Sequence, residues 1–465
     1  MRSFWYALLV CLAFALAKTS WAQSLQQVQD LQSTEREETT ARYQLTYNWQ
    51  HHASFAAPYS GANSLSPQSE RMYTFSTTAH LGFRPWQDGE LYFNPEIASG
   101  IPFSGNLVGM GGFTNGEITR AGGSTPKLYR QRLFVRQTWN RGGGEEKLEA
   151  DFNQMAGTVD KNRFVLTVGN FSTLDVFDDN AYAKDPRTQF MNWGNWTYAA
   201  YDYAADARGF GWGFAGEWYQ DNWVLRFGRM SGPKEPNGLP VDLALARHYG
   251  DQVELERKHD LAGQPGKVRV LAWRNHARLA SFSDATQWVQ NHPGTQTGPD
   301  ALIAVRGEEK TKYGLGLNIE QALSPSVGYF LRVMKADGKT ETYAFTEADG
   351  SLSTGLVFKG GLWGRADDAI GVALMRNTLS AQRREFLQAG GVSYFIGDSN
   401  GVGVGMGMGL RSIQYKPEQV IETFYSFGLA RGTWLTADYQ RIQNPAYNAD
   451  RGPVNVYAVR FHAEF

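Results

Sequence analysis

From Val454 to Phe465 the chain reads VNVYAVRFHAEF. Tyr457, Val459, Phe461, Ala463 and Phe465 fall on one parity and Arg460, His462 and Glu464 on the other, so a strand here carries one apolar and one charged face. The same period of two runs through 41–50, where Tyr43, Leu45, Tyr47 and Trp49 alternate with Arg42, Gln44, Thr46 and Asn48. It returns in 71–84, where Tyr73, Phe75, Ala79, Leu81 and Phe83 alternate with Thr74, Ser76, Thr78 and His80. Followed along the chain, it predicts about sixteen strands: 41–50, 71–84, 90–99, 128–139, 163–171, 207–219, 222–231, 250–259, 266–276, 310–321, 327–336, 349–359, 369–378, 417–429, 433–442 and 454–465.

The connections separate a membrane barrel from a soluble sandwich. Tight turns fall at Pro85 to Gly89, Gln220-Asp221, Asp260 to Pro265, Ala322 to Ser326 and Ala430 to Gly432, while long excursions fall at 51–70, 100–127, 172–206, 232–249, 277–309 and 379–416. Short and long connections alternate, as they do in a transmembrane barrel with short periplasmic turns and long extracellular loops. Two connections fit less well: 140–162 is long where a short turn is due, and 360–368 is intermediate. The predicted fold is all-β, a transmembrane antiparallel β-barrel of about 16 strands spanning 41–465. In it 454–465 pairs with 41–50 to close the wall, and its outer residues up to Phe465 face lipid.

The amino-terminal segment changes the compartment. Arg2, an unbroken apolar run of 14 residues from Phe4 to Ala17, and Ser20-Trp21-Ala22 make a secretory signal over 1–22. The run is too short for a comfortable membrane helix. Cys11 lies inside it and leaves with it, so the exported chain has no cysteine. Losing Arg2 and Lys18 leaves 43 basic against 46 acidic residues, a net charge of −3, which gives no support to a nucleic-acid partner. Residues 23–40, rich in Gln and Glu, form a periplasmic arm. Negative mean hydropathy excludes helical spanning but suits a barrel, because half of each strand faces a wet lumen. The 51 Gly, 22 Tyr and 14 Trp fit the same picture.

Candidate chemistry is sparse outside that lumen. The pair His51-His52 is adjacent rather than spaced as metal ligands, and no Ser-His-Asp set has a nucleophile turn such as G-x-S-x-G, so no metal, cofactor or enzymatic role is expected. The run GVGVGMGMGL, 401–410, lacks the strand before and helix after that a phosphate-cradling loop needs; it reads as a strand-like hairpin extension within 397–410. LSAQRREFLQAG, 379–390, reads as a short loop helix.

Inner-parity positions supply the candidate channel residues. On 128–139, Tyr129, Leu133, Val135 and Trp139 take the outer parity, leaving Arg130, Arg132 and Arg136 as a guanidinium ladder inside. Arg226, Arg332, Arg460 and His462 share the inner phase of their strands, as do Glu90, Glu96, Glu217, Glu320, Glu422, Asp438 and Glu464. Such a lumen can hydrogen-bond hydroxyls and orient water, or its charges can simply pair across the wall. Trp49, Trp139, Trp218 and Trp223 sit near strand ends and belong to interfacial girdles. Trp193 and Trp196 stand instead in the excursion 172–206 with Asp185 and Arg187. If that loop folds inward it forms the constriction, where an indole face suits a sugar ring; the alternative is that the indoles pack the loop onto the wall.

Several blocks carry a resemblance: DVFDDNAYAKDPRTQFMNW (175–193), DYAADARGFGWG (202–213), ELYFNPEIASG (90–100), GFTNGEI (112–118), RLFVRQTW (132–139) and NPAYNADRGPV (444–454). Together they make the chain resemble the carbohydrate-selective porin family, the OprB family, over most of its length. The resemblance implies a sixteen-stranded barrel in the outer membrane of a Gram-negative bacterium that passes sugars by diffusion, without cofactor or energy input. It also suggests that the strand ending at Phe465 is read by the barrel-assembly machinery. The stretch 398–416 looks longer than the family's usual link, which leaves the outer vestibule open in shape. Monomer and homotrimer both remain open. A general diffusion porin and the outer-membrane component of a polysaccharide export system are the competing functions; only 23–40 and 140–162 are available to dock the latter.

Overall fold

In hydrocarbon every strand edge needs a partner, and this chain provides one by closing its sheet. A computed structural model describes residues 36–105, 109–117, 123–345, 347–398 and 413–465. The expected signal 1–22, most of the arm 23–40 and the Gly-rich run 401–410 lie outside the described residues. In chain order the strands are β1 (Thr39–His52), β2 (Glu70–Trp86), β3 (Gly89–Ile101), β4 (Gly123–Asn140), β5 (Glu145–Leu148), β6 (Gly157–Asp160), β7 (Arg163–Phe171), β8 (Gly211–Gln220), β9 (Trp223–Met230), β10 (Tyr249–Leu261), β11 (Gln264–Arg278), β12 (Glu309–Ser324), β13 (Val327–Ala336), β14 (Gly350–Lys359), β15 (Ala369–Thr378), β16 (Glu418–Ala430), β17 (Thr433–Gln443) and β18 (Val454–Glu464). All but β5 and β6 form one closed antiparallel barrel of sixteen strands, each hydrogen-bonded to its neighbours in sequence, with β4 beside β7 and β18 beside β1.

The sixteen predicted segments and the sixteen barrel strands coincide to within a few residues. Closure pairs 454–465 with the first strand as expected, in a register that runs from Gln44 opposite Glu464 to His52 opposite Val456. At its lower end Phe465 N–H donates to Tyr43 O at 2.9 Å and Tyr43 N–H donates to Phe465 O at 2.6 Å. The two rings stack on the outer face at 6.1 Å.

Alternation sorts the side chains as the parity predicts. Outward residues such as Val253, Leu255, Val270, Leu315, Leu374 and Val459 are exposed, while the intervening Gln252, Glu254, Arg269, Asn318 and Arg460 are buried inside. Trp86, Trp139, Trp218 and Trp223 stand exposed near the short-turn ends of their strands, a lower aromatic girdle. Five connections at that end are two residues long: 87–88, 221–222, 262–263, 325–326 and 431–432. The longer connections at that end are structured, since 141–162 carries the β5–β6 hairpin, and 360–368 begins with a 3-10 turn at Gly360–Trp363.

At the opposite end the long loops carry helices: α1 (Trp193–Trp196), α2 (Phe282–Asn291), α3 (Asp300–Val305) and α4 (Ala381–Gln388). The loop helix expected within 379–390 is α4, started by Ser380, whose hydroxyl accepts from Arg383 N–H. Phe282, Val289, Leu302, Phe386, Leu387 and Tyr447 bury together as a small second core above the barrel. Among the described residues no helix is long and apolar enough to cross a membrane.

Deleting Phe465 removes both closing backbone bonds and the ring pair, at a net cost of roughly 1 kcal/mol per hydrogen bond. The deleted chain is expected to yield less heat-modifiable, compactly migrating barrel on cold gels than wild type, with Phe465→Ala, which keeps the backbone bonds, in between. Equal folded fractions for all three would show that closure does not depend on this pair.

Candidate functional site: an occupied barrel interior

The connection from β7 to β8, 172–210, does not stand above the barrel; it crosses the interior. Its anchors on one wall begin at Asp178, whose carboxylate accepts Arg332 Nε at 2.8 Å, Asn318 Nδ2 at 2.6 Å and Thr197 Oγ1 at 2.9 Å. Asp178 N–H in turn donates to Glu254 at 2.9 Å, and Ala181 N–H donates to Glu320 at 2.9 Å. Apart from Thr197, which belongs to the loop itself, these partners lie on β10, β12 and β13. About a quarter turn around the barrel, on β16, Met191 and Asn192 N–H both donate to Glu422 Oε1, and Asn195 Nδ2 donates to its Oε2 at 2.6 Å. Arg460 on β18 donates to the carbonyls of Pro186 and Gln189, both at 2.7 Å. Arg187 reaches Glu96 on β3 at 2.9 Å and Glu117 at 3.0 Å. The loop is therefore fastened to opposite walls by buried charges that mutual pairing makes tolerable.

Small residues allow the close docking. A Cβ at Gly194 would lie 1.8 Å from Met375 Sδ on β15, and one at Gly328 would lie 2.0 Å from the Tyr182 ring, so both contacts exist only because these positions lack side chains. Lys184 Nζ holds the loop's own turn together by donating to the carbonyls of Leu174 at 2.6 Å and of Phe177 and Asp178 at 3.3 Å. The β3–β4 loop joins from the side: Gly111 and Gly112 N–H donate to Glu418, and Trp193 N–H donates to Phe113 O.

The sequence-predicted residues divide into two groups. Arg332, Arg460, Arg187 and Glu96 are buried and hold loops against the wall. Arg226 is buried too, bonded to Glu217, Glu254 and Glu256 at 3.0–3.1 Å. Arg269, which the parity reading did not single out, extends that cluster to Glu320 at 3.1 Å and Asp179 at 3.5 Å. The second group stays within reach of water. Arg132 forms a two-pronged pair with Asp175, at 2.6 and 2.7 Å. Arg136 bonds Asn153 O at 2.9 Å beside Glu90, which Arg84 approaches to 2.9 Å. Asp185 is partly exposed, and Asp179 is 51% exposed along its side chain.

Two expectations need correction. Arg130 does not face inward, because β3 and β4 slip by one residue at a bulge: Asn94 stands opposite Arg132 but Pro95 opposite Arg130, leaving Gln131 extra. Beyond the bulge the parity inverts, so Tyr129 turns inward, its hydroxyl donating to Glu96, while Arg130 lies exposed outside over the Trp212 ring at 5.0 Å. A proline in strand pattern, Pro95, was the available signal. Trp193 and Trp196 do not offer their faces to a solute either. They are 3% and 4% exposed, packed edge to face at 4.8 Å, with Trp193 also against Phe113, Tyr203 and Phe345. Among the described residues no group of three or more His, Cys, Asp or Glu is placed to hold a metal ion.

The barrel fold has a solved counterpart. OprB of Pseudomonas putida aligns over 96% of this chain and 97% of its own, with a TM-score of 0.65 at 14% identity. OccAB1 of Acinetobacter baumannii aligns over 93% and 99% with a TM-score of 0.46 at 10% identity. DcaP of the same species aligns over 92% and 97% with a TM-score of 0.46 at 8% identity. No curated protein sequence matches the chain. The family model described as carbohydrate-selective porin, OprB family, matches residues 63–465. The chain belongs to that family, and its barrel is a sugar-diffusion channel of the Gram-negative outer membrane.

Proposed function

We propose that sugars pass along the water-accessible edge of the inward loop, between that edge and the inner face of β4, and that this is the narrowest part of the channel. The observation that carries the reading is the fastening of 172–206 to opposite walls, which carries it across the lumen and leaves a charged margin of Arg132, Asp175, Asp179, Lys184 and Asp185 at least partly exposed. Arg132 pairs with Asp175 and Asp179 with Arg269, while Lys184 bonds backbone carbonyls, so opposite charges stand close together and exert little net field. They can still trade hydrogen bonds with hydroxyls, which favours a neutral polyhydroxylated solute over an ion. Movement is passive, with no catalytic step. The same reading treats residues 1–22 as a cleaved export signal, 23–40 as a periplasmic arm, and the strand ending at Phe465 as the segment read by the assembly machinery.

The bulge at Gln131 separates two neighbouring arginines for a test. Arg132→Ala is expected to lower sugar flux in liposome swelling and to shift ion preference toward cations by roughly twofold to fivefold, the effect of about 0.5–1 kcal/mol at a partly screened site. Arg130→Ala is expected to match wild type in both. Indistinguishable behaviour of Arg132→Ala would remove β4 from the constriction. Sugar entry that scales only with solute size, equally for amino acids and salts, would favour a general porin instead.

Loop docking has its own test. Asp178→Ala leaves Arg332 buried without its carboxylate, a loss of roughly 3–5 kcal/mol. The expected result is a larger, noisier single-channel conductance and new protease cleavage within 172–206, while the barrel itself still forms.

A further inference from the structure

The connection that broke the alternation of loop lengths, 141–162, enters the barrel from the periplasmic end. β5 and β6 pair from Glu145 opposite Asp160 to Leu148 opposite Gly157, and the tip between them, 149–156, turns onto the inner wall. Asn94 Nδ2 donates to Asn153 Oδ1 at 2.8 Å, Arg136 Nη1 donates to Asn153 O at 2.9 Å, and Met155 N–H donates to Tyr92 Oη at 3.1 Å. Ala156 N–H donates to Glu37 at 2.7 Å, and Glu37 N–H returns a bond to Ala156 O at 3.0 Å. Met155 is completely buried, and the Phe152 ring packs on His80 at 4.4 Å. Asn94 lies five residues into β3 from its lower end. At ~3.3 Å per residue and a tilt of ~40°, the tip reaches about 13 Å up the lumen.

This hairpin is fixed on the same inner face of β4 as the inward loop: Arg136 holds its Asn153, and Arg132, four residues away, holds Asp175 of that loop. Asp151 is exposed, and Phe152, Asn153 and Gln154 remain partly exposed. With Trp193 and Trp196 buried, Phe152 is an aromatic ring in the lumen with one side packed and surface left over, flanked by a carboxylate, two amides and the Arg136 guanidinium. An aromatic face bordered by hydrogen-bonding groups is what the C–H face and hydroxyl rim of a pyranose ring require.

We propose that the tip 151–154 is a second, exit-side sugar subsite, with Phe152 as the platform for a neutral pyranose and Asp151, Asn153, Gln154 and Arg136 as partners for its hydroxyls. This rests on the sugar-channel reading and adds a site on the periplasmic side of the constriction. Sugars leaving the constriction meet it before the periplasm, so the path has two stations rather than one, which speeds passage when both are weak.

The test uses the full-length channel in planar bilayers, with glucose or maltose added to interrupt the ion current and sorbitol as a polyol without a ring face. Phe152→Leu keeps apolar bulk against His80 while removing the platform. It is expected to weaken the binding of glucose and maltose by about threefold to tenfold, with ion conductance and heat-modifiable folding near wild type. Phe152→Tyr is expected to retain wild-type binding. Equal sugar block in wild type and a folded Phe152→Leu channel would overturn the subsite, as would a loss matched by an equal loss for sorbitol. Absence of sugar block in the wild type, with glucose no better than sorbitol, would overturn the sugar-channel reading itself and the subsite with it. If Phe152→Leu does not fold, Phe152→Met, which fills more of the space against His80 and also removes the flat platform, provides the same comparison.

Discussion

An unpaired backbone amide has no partner in hydrocarbon, and this single cost organises the chain. It demands sixteen strands in a ring, brings residues from the two ends of the sequence side by side, and puts Phe465 against Tyr43. Once the ring is closed, every second residue faces a cavity too wide for side chains from the wall alone to fill. The remaining chemistry concerns how that cavity is occupied, and by which polar groups, so that water and solute retain a defined path.

The occupants arrive from both ends. The 172–206 excursion descends from outside and exchanges hydrogen bonds with carboxylates and guanidiniums of β3, β10, β12, β13, β16 and β18. The 149–156 tip rises from the periplasmic side onto β3 and β4. Most inner-wall charge is spent on this fastening. Arg226 and Arg269 are shared among Glu217, Glu254, Glu256, Glu320 and Asp179, a cluster whose members neutralise one another. What faces the remaining water is a mixed margin of both signs, suited to hydroxyl groups.

Strands were legible because a period of two is a local property: each residue's face is fixed by its neighbours, and the wall alternates hydrocarbon with water throughout. The inner charges were legible in direction for the same reason. Their role was not. Arg332 and Arg460 read as lumen residues, yet what they hold is loop backbone and Asp178, groups more than 130 residues distant in sequence from Arg332 and more than 270 from Arg460. Parity also fails wherever one residue is inserted, and the bulge at Gln131 exchanged the faces of Tyr129 and Arg130. The loop aromatics carry no period, so their surroundings were decided by tertiary contacts with Phe113 and Phe345 from two other loops.

The cross-lumen bonds of the inward loop have a mechanical consequence. A thin cylindrical sheet under lateral membrane pressure resists stretching along its hydrogen bonds but flattens easily into an ellipse, because flattening only bends the sheet. Here the chain from Asp178 to Arg460's carbonyl partners ties one wall to the opposite one, with a buried ion pair at one end and guanidinium–carbonyl hydrogen bonds at the other to stiffen it. The loop is thus an internal strut. The aperture is set by a length of polypeptide rather than by the roundness of the wall, so bilayer thickness and lateral tension change the outline of the barrel without changing the width of the path.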